Sequence, residues 1–153
     1  MAAPLRSALR KARRLSPRDW WRLLLGQVAL FRAYRDVQTR PQGELTSAAA
    51  QPSKGGVADP ARLDDVRRVV LGVSRASAYG VFTPTCLVRS LAICSRLEAE
   101  GIPGGQVKVG VARRNGTFTA HAWVEYAGEI VGDDEGTVER YASFDDLKVS
   151  TRP

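Results

Sequence analysis

Two hydrophobic periods divide this chain. Trp20, Trp21, Leu24, Val28, Phe31 and Tyr34 recur at steps of three or four, the spacing of a helix face. Ser16-Pro17-Arg18-Asp19 ahead of them supplies a Ser cap, Pro at the first helical position and an acid in the first turn, which predicts a helix from there to about Val37. Leu63, Val66, Val69, Val70 and Val73 share one face of a second helix, predicted from Asp59-Pro60 to about Ala78 and ended by Tyr79-Gly80. Thr83-Pro84 opens a third, whose Leu87, Leu91, Cys94 and Leu97 point one way until Gly101 and Pro103 stop it. From Gln106 the period becomes two. Val107, Val109 and Val111 alternate along one strand, and Phe118, Ala120, Ala122, Val124 and Tyr126 along the next, on the parity opposite to His121. Asn115-Gly116 between them is a hairpin dipeptide, and Ala127-Gly128 leads into a third strand, Glu129-Ile130-Val131. Helices first and an antiparallel meander afterwards predict an α+β fold.

The stretch between the first and second helices is rich in Gly, Pro, Ser and Ala and carries no apolar period, so it reads as a flexible linker. Three segments follow: residues 1–40 as a basic amphipathic helical extension, 41–59 as linker, and 60–153 as the main domain. At 153 residues the chain suits one domain with a real core, and its 44% hydrophobic and 25% charged residues are those of soluble globular proteins. Charge sharpens the division. Residues 1–40 hold ten Arg or Lys against Asp19 and Asp36, a net +8, whereas the remainder is nearly neutral at −1. An argument from basicity therefore applies only to the extension.

Cys86 and Cys94 lie eight apart on one predicted helix, roughly 12 Å at the helical rise, too far for a disulfide. Free thiols suit a reducing compartment, so the cytoplasm is expected. The longest apolar run, Leu23 to Phe31, is interrupted by Gly26 and Gln27 and is about half a membrane span, and the basic start lacks a small-residue cleavage site for a signal peptide.

The chain has one histidine, His121, and a cysteine, Cys86, just inside a predicted helix start. A thiol attacks as thiolate, and a helix N-terminus and an imidazole are two ways of making one. An acid after the third strand, Asp133 or Asp134, lies beside the histidine strand and would orient the imidazole. The backbone N–H of Cys86 would serve as oxyanion donor. A cysteine on an apolar helix face is more often packing than chemistry, and Cys94 keeps that reading. Two Cys and one His lack the four ligands of a closed metal site.

Cys86-Leu87-Val88-Arg89-Ser90-Leu91, Gly101-Ile102, Val109-Gly110-Val111, Phe118-Thr119-Ala120-His121-Ala122-Trp123-Val124-Glu125 and Gly128 together resemble the transglutaminase-like peptidase domain of lasso-peptide maturation proteins, over about residues 60–150. The Arg-rich start and the Trp20-Trp21 helix resemble the extension of its stand-alone form, in which leader recognition belongs to a separate protein. The resemblance implies a papain/transglutaminase-like fold. It also implies a triad of Cys86, His121 and, twelve residues beyond the histidine, Asp133, with Asp134 only its neighbour. Thr85, Thr119 and Trp123, flanking these, are the candidate substrate contacts. The implied reaction is leader removal from a ribosomal precursor, without metal or nucleotide, freeing the core's amine for a separate ATP-dependent lasso cyclase. Implied partners are the precursor, the leader-recognition protein and the cyclase. Another Cys-His-Asp acyl transferase or transglutaminase fits the same residues. A different class is a non-catalytic module in which residues 1–40 bind nucleic acid or touch an anionic membrane. Aromatics on a helical stripe more often pack on protein, so nucleic acid is the less expected partner and peripheral membrane contact the better of these two.

Overall fold

The computed structural model describes residues 17–40, 56–114 and 116–143. The basic leader before Pro17, most of the expected linker and Asn115 of the hairpin turn lie outside the described residues.

Three helices come first: α1 (Pro17–Thr39), α2 (Leu63–Tyr79) and α3 (Cys86–Ala99). Asp59 caps a short 3₁₀ turn (Pro60–Arg62) by accepting the Ala61 N–H, and the turn runs directly into α2. Strands β1 (Gln106–Arg114), β2 (Thr117–Tyr126) and β3 (Glu129–Val131) follow, then the single-turn helix α4 (Glu135–Val138) and β4 (Ala142–Ser143). The sheet order is β3-β2-β1-β4, antiparallel at every pairing. The α+β architecture is thus the one the two periods imply. The final strand is an addition to the expected meander: it crosses over to pair Gly110 with Ser143 and Val111 with Ala142.

Helix α3 is the central element, packed against α1, α2, β1 and β2. Its buried residues, Val88, Ser90, Ala92, Ile93, Cys94 and Leu97, go most of the way round the helix, wider than the stripe expected from the sequence, because it meets neighbours on several sides. Val66, Val69, Val70, Val73 and Ala76 of α2 and Val107, Ala122, Val124, Tyr126 and Val131 of the sheet join it in one core. Tyr126 fastens the sheet to the start of α2: its hydroxyl accepts from the Asp59 N–H at 3.1 Å and donates to the Asp59 carbonyl at 3.3 Å.

Helix α1 presents its less conspicuous face to this core. Ala29, Leu30 and Ala33 are buried in it, with Leu23 and Val37 packed at the edge. Gly26 allows the close approach, since a Cβ there would lie 2.8 Å from the Ala76 Cβ. The stripe that defines the helix in the sequence faces outward, with Trp20, Trp21, Leu24, Val28, Phe31 and Tyr34 all exposed. Removing residues 1–40 would therefore strip side chains from the main core as well as an exposed surface. No helix among the described residues is long and apolar enough to cross a membrane.

Candidate active site

Helix α3 begins where the sequence supplies a cap. Thr85 is extended, and its hydroxyl accepts the Val88 N–H at 3.4 Å while its carbonyl takes the Arg89 N–H. Cys86 is the first residue of the helix and is half-buried. Its N–H precedes the intrahelical ladder, which puts the residue at the positive end of the helix dipole.

His121 projects from β2 on the parity opposite to the core residues Ala122 and Val124. Strand β3 ends at Val131 opposite Val124, so beyond that pair β3 no longer covers the β2 edge. Gly132 turns the chain there with φ of +82°, a conformation that suits glycine, and a Cβ on it would press on Ile93 and Val70. The next residue is Asp133, and its Oδ2 lies 2.8 Å from His121 Nε2. A carboxylate only accepts, so Nε2 is the donor of this pair and Nδ1 is the ring nitrogen turned away from it.

The tandem acids have different partners. Asp133 bonds His121 through Oδ2 and takes the Asp134 N–H on Oδ1 at 2.9 Å. Asp134 caps α4, with one carboxylate oxygen accepting from the Thr137 N–H at 2.9 Å and the Thr137 hydroxyl at 3.1 Å. The caps of α3 and α4 thus fix the backbone on which Cys86 and Asp133 stand.

Two neighbours of this pair carry no role in the sequence reading. Arg89, three residues after Cys86, donates from Nη2 to the same Asp133 Oδ2 at 2.8 Å. Tyr141, after α4, sets its ring 5.1 Å from the His121 ring. Arg89 has a local signal, a charge one turn after the cysteine on a mostly apolar helix; Tyr141 has none.

Trp123 lies behind the histidine. It is 3% exposed, and its ring is stacked 6.4 Å from that of His121, with its N–H donated to Glu125 at 3.0 Å. With Val138 of α4 it is buried apart from the main core. The indole lies over Gly110, which faces His121 across the β1-β2 pairing: a Cβ there would meet Trp123 Cη2 at 2.9 Å and the Ala142 carbonyl at 2.9 Å. Gly110→Ala is therefore expected to push Trp123 against His121 and to cost about 1–3 kcal/mol, read as a lower thermal midpoint together with a shifted His121 ring resonance. Thr119 is exposed on β2, with its hydroxyl bound to the Ala112 carbonyl. Thr85 is exposed at the cap.

Cys94 is buried where Cys86 is half-buried. It lies on α3, and burial, reinforced by Glu98, pushes its thiol up to about 12 from 9.0. Among the described residues no group of three or more His, Cys, Asp or Glu gathers to hold a metal ion.

A half-buried thiol at a helix start, and an imidazole whose Nε2 is occupied by a carboxylate, are the kinds of group that cysteine-based acyl transfer uses. Searches of the curated proteins and of the solved structures gave no match. A family model does match: the one described as the transglutaminase-like superfamily covers residues 27–145, from within α1 to beyond β4. Most of the chain lies inside that span, including Cys86, His121 and Asp133, so the protein belongs to the transglutaminase-like superfamily, whose members are usually cysteine-based enzymes.

Proposed function

We propose that this protein is a cysteine peptidase that removes the leader from a ribosomally made precursor of the lasso class, freeing the core's N-terminal amine for a separate cyclase. The observation that carries the reading is the His121–Asp133 hydrogen bond at 2.8 Å, joined through Arg89 to the first turn of the helix that Cys86 begins.

In this reading His121 Nδ1 takes the Cys86 proton and the sulfur attacks the carbonyl carbon at the leader–core junction. The Cys86 N–H at the helix start stabilises the oxyanion. The C–N bond breaks as His121 returns the proton to the leaving amine, and the core peptide departs. His121 then deprotonates a water that attacks the thioester, releasing the leader as a carboxylic acid and restoring the thiol. Asp133 holds the imidazole with Nδ1 free throughout. Trp123 supports the histidine ring from behind, and the exposed Thr85 and Thr119 flank the path of the substrate. Each step is completed by groups of the chain and water.

The supply of substrate falls to a separate leader-recognition protein, with the lasso cyclase as the next partner, all in the cytoplasm. The outward apolar face of α1 supports such docking, since six large side chains are exposed along it. Peripheral membrane contact would use that same face.

The test is direct. The purified chain, with and without the leader-recognition protein, is incubated with a full precursor and the products are weighed by mass spectrometry. Two fragments whose masses sum to the precursor plus one water are expected. Incorporation of an added primary amine at the acyl carbon, with no hydrolysis, would instead identify a transglutaminase-like acyl transferase.

A further inference from the structure

Helix α3 and the His121–Asp133 pair belong to different parts of the chain, and the Arg89 side chain bonds across them. Arg89 follows Cys86 by three residues, so both lie near one face of the first turns of α3, about 4.5 Å apart along the axis. Its guanidinium reaches Asp133 Oδ2 at 2.8 Å, the oxygen that also accepts from His121 Nε2 at 2.8 Å, while Oδ1 is held by the Asp134 N–H. Three donors from three elements thus fix one carboxylate: the helix of the nucleophile, the strand of the base, and the turn that carries the acid. The cluster is sheltered, the side chains of Asp133, His121 and Arg89 being 13%, 16% and 30% exposed.

We propose that Arg89 is a positioning residue for the Cys-His-Asp centre, setting the direction of the Asp133 carboxylate and through it the tautomer and aim of His121. The inference rests on the catalytic reading of these three residues. Its physical basis is the shared oxygen. With only the His121 N–H and one backbone N–H upon it, a carboxylate can rotate about its Cβ–Cγ bond and offer either oxygen. The guanidinium, anchored on the rigid helix, closes that freedom. It also balances the carboxylate's charge, so His121 need not be protonated for Asp133 to be paired. A purely structural ion pair would act on stability alone and leave the imidazole unaffected.

Because His121 is the chain's one histidine, its ring nitrogens can be read by ¹⁵N NMR without substrate. The wild-type protein should hold the Nε2–H tautomer. Arg89→Gln should admit the Nδ1–H form to a measurable fraction, and kcat on the precursor should fall about 10- to 100-fold, the scale of a small misplacement of reacting groups, with KM nearly unchanged. Arg89→Lys, which keeps the charge and loses the planar fork, should recover part of both. Thermal unfolding of each variant verifies the fold, and should Arg89→Gln not fold, Arg89→Lys carries the same two readouts. An unchanged tautomer and unchanged turnover in the folded variants would overturn the proposal, as would a lowered midpoint with the tautomer intact. Should the tautomer shift while even the wild-type chain cleaves no precursor, the positioning role stands and the peptidase reading fails.

Discussion

Cys86→Ala is expected to abolish precursor cleavage, a loss on the order of 10⁶-fold in kcat, the scale at which deletion of a triad's nucleophile is felt. The fold should survive, because Cys86 sits half-buried at the start of α3 and only packs against the edge of the core. Cys94→Ala is the matched control. Its sulfur lies in the core, and burial holds the proton on the thiol to about pH 12. Removing it opens a small cavity and lowers stability modestly while cleavage continues. Alkylation at pH 8 followed by mass mapping should accordingly label Cys86 and spare Cys94. Label found on Cys94 alone, or full cleavage by the Cys86 variant, would defeat the assignment. The raised Cys94 value has a sign for stability as well. The folded state binds this proton more tightly than the unfolded chain, whose value is near 9.0, so the contribution is complete below about pH 9 and is lost as pH rises towards about 12.

What the sequence reveals and what it hides follow from the range of the interactions. The alternation of β1 and β2 and the valine stripe of α2 are readable because a period of 2 or 3.6 repeats within one segment. Helix α1 is equally readable as a helix, yet not in its orientation. Its large side chains advertise one face, whereas the fold uses the other, where Gly26 lets α1 approach α2 closely and Ala29 and Ala33 are buried beside Leu30, with Leu23 and Val37 at the edge. Small residues at a helix crossing carry little hydrophobic signal. Strand β4 spans two residues, too few for any period, and is defined by pairing with Gly110 and Val111 some thirty residues earlier. Of the site, Cys86 is marked by its cap and His121 by being the one histidine. The choice of Asp133 over Asp134 comes from family resemblance, because neighbouring acids are equivalent until the turn at Gly132 and the start of α4 separate them. The pairing of Arg89 is lost despite its place one turn after the cysteine, because its partner is 44 residues away and no spacing rule connects them.

The tandem acids give the sharpest test of that separation. Asp133→Asn is expected to lower kcat by about two to four orders of magnitude, because an amide in this place can donate to Nε2 and so favours the proton on Nδ1, the nitrogen that must act as base. Asp134→Asn should change kcat little. Asn also serves as a helix cap and can still accept from Thr137, so the backbone that presents Asp133 is kept. The ratio between the two variants is therefore more informative than either alone, since both remove one charge from adjacent positions and any general electrostatic effect cancels. Single-turnover cleavage separates them from effects on product release. The effect should also depend on the partner: Arg89 and His121 share one oxygen of Asp133, so in Asp133→Asn the guanidinium, which can only donate, draws the amide oxygen to that shared place, while the Asp134 N–H draws it to the other and so turns the NH₂ group towards His121. In the Arg89→Gln background the pull of the guanidinium disappears, the NH₂ group faces His121 more often, and Asp133→Asn should cost more than it does in the wild-type chain. A double-mutant cycle on kcat reads this coupling. Equal losses for Asp133→Asn and Asp134→Asn, or a larger loss for the latter, would move the orienting role away from the carboxylate that His121 touches.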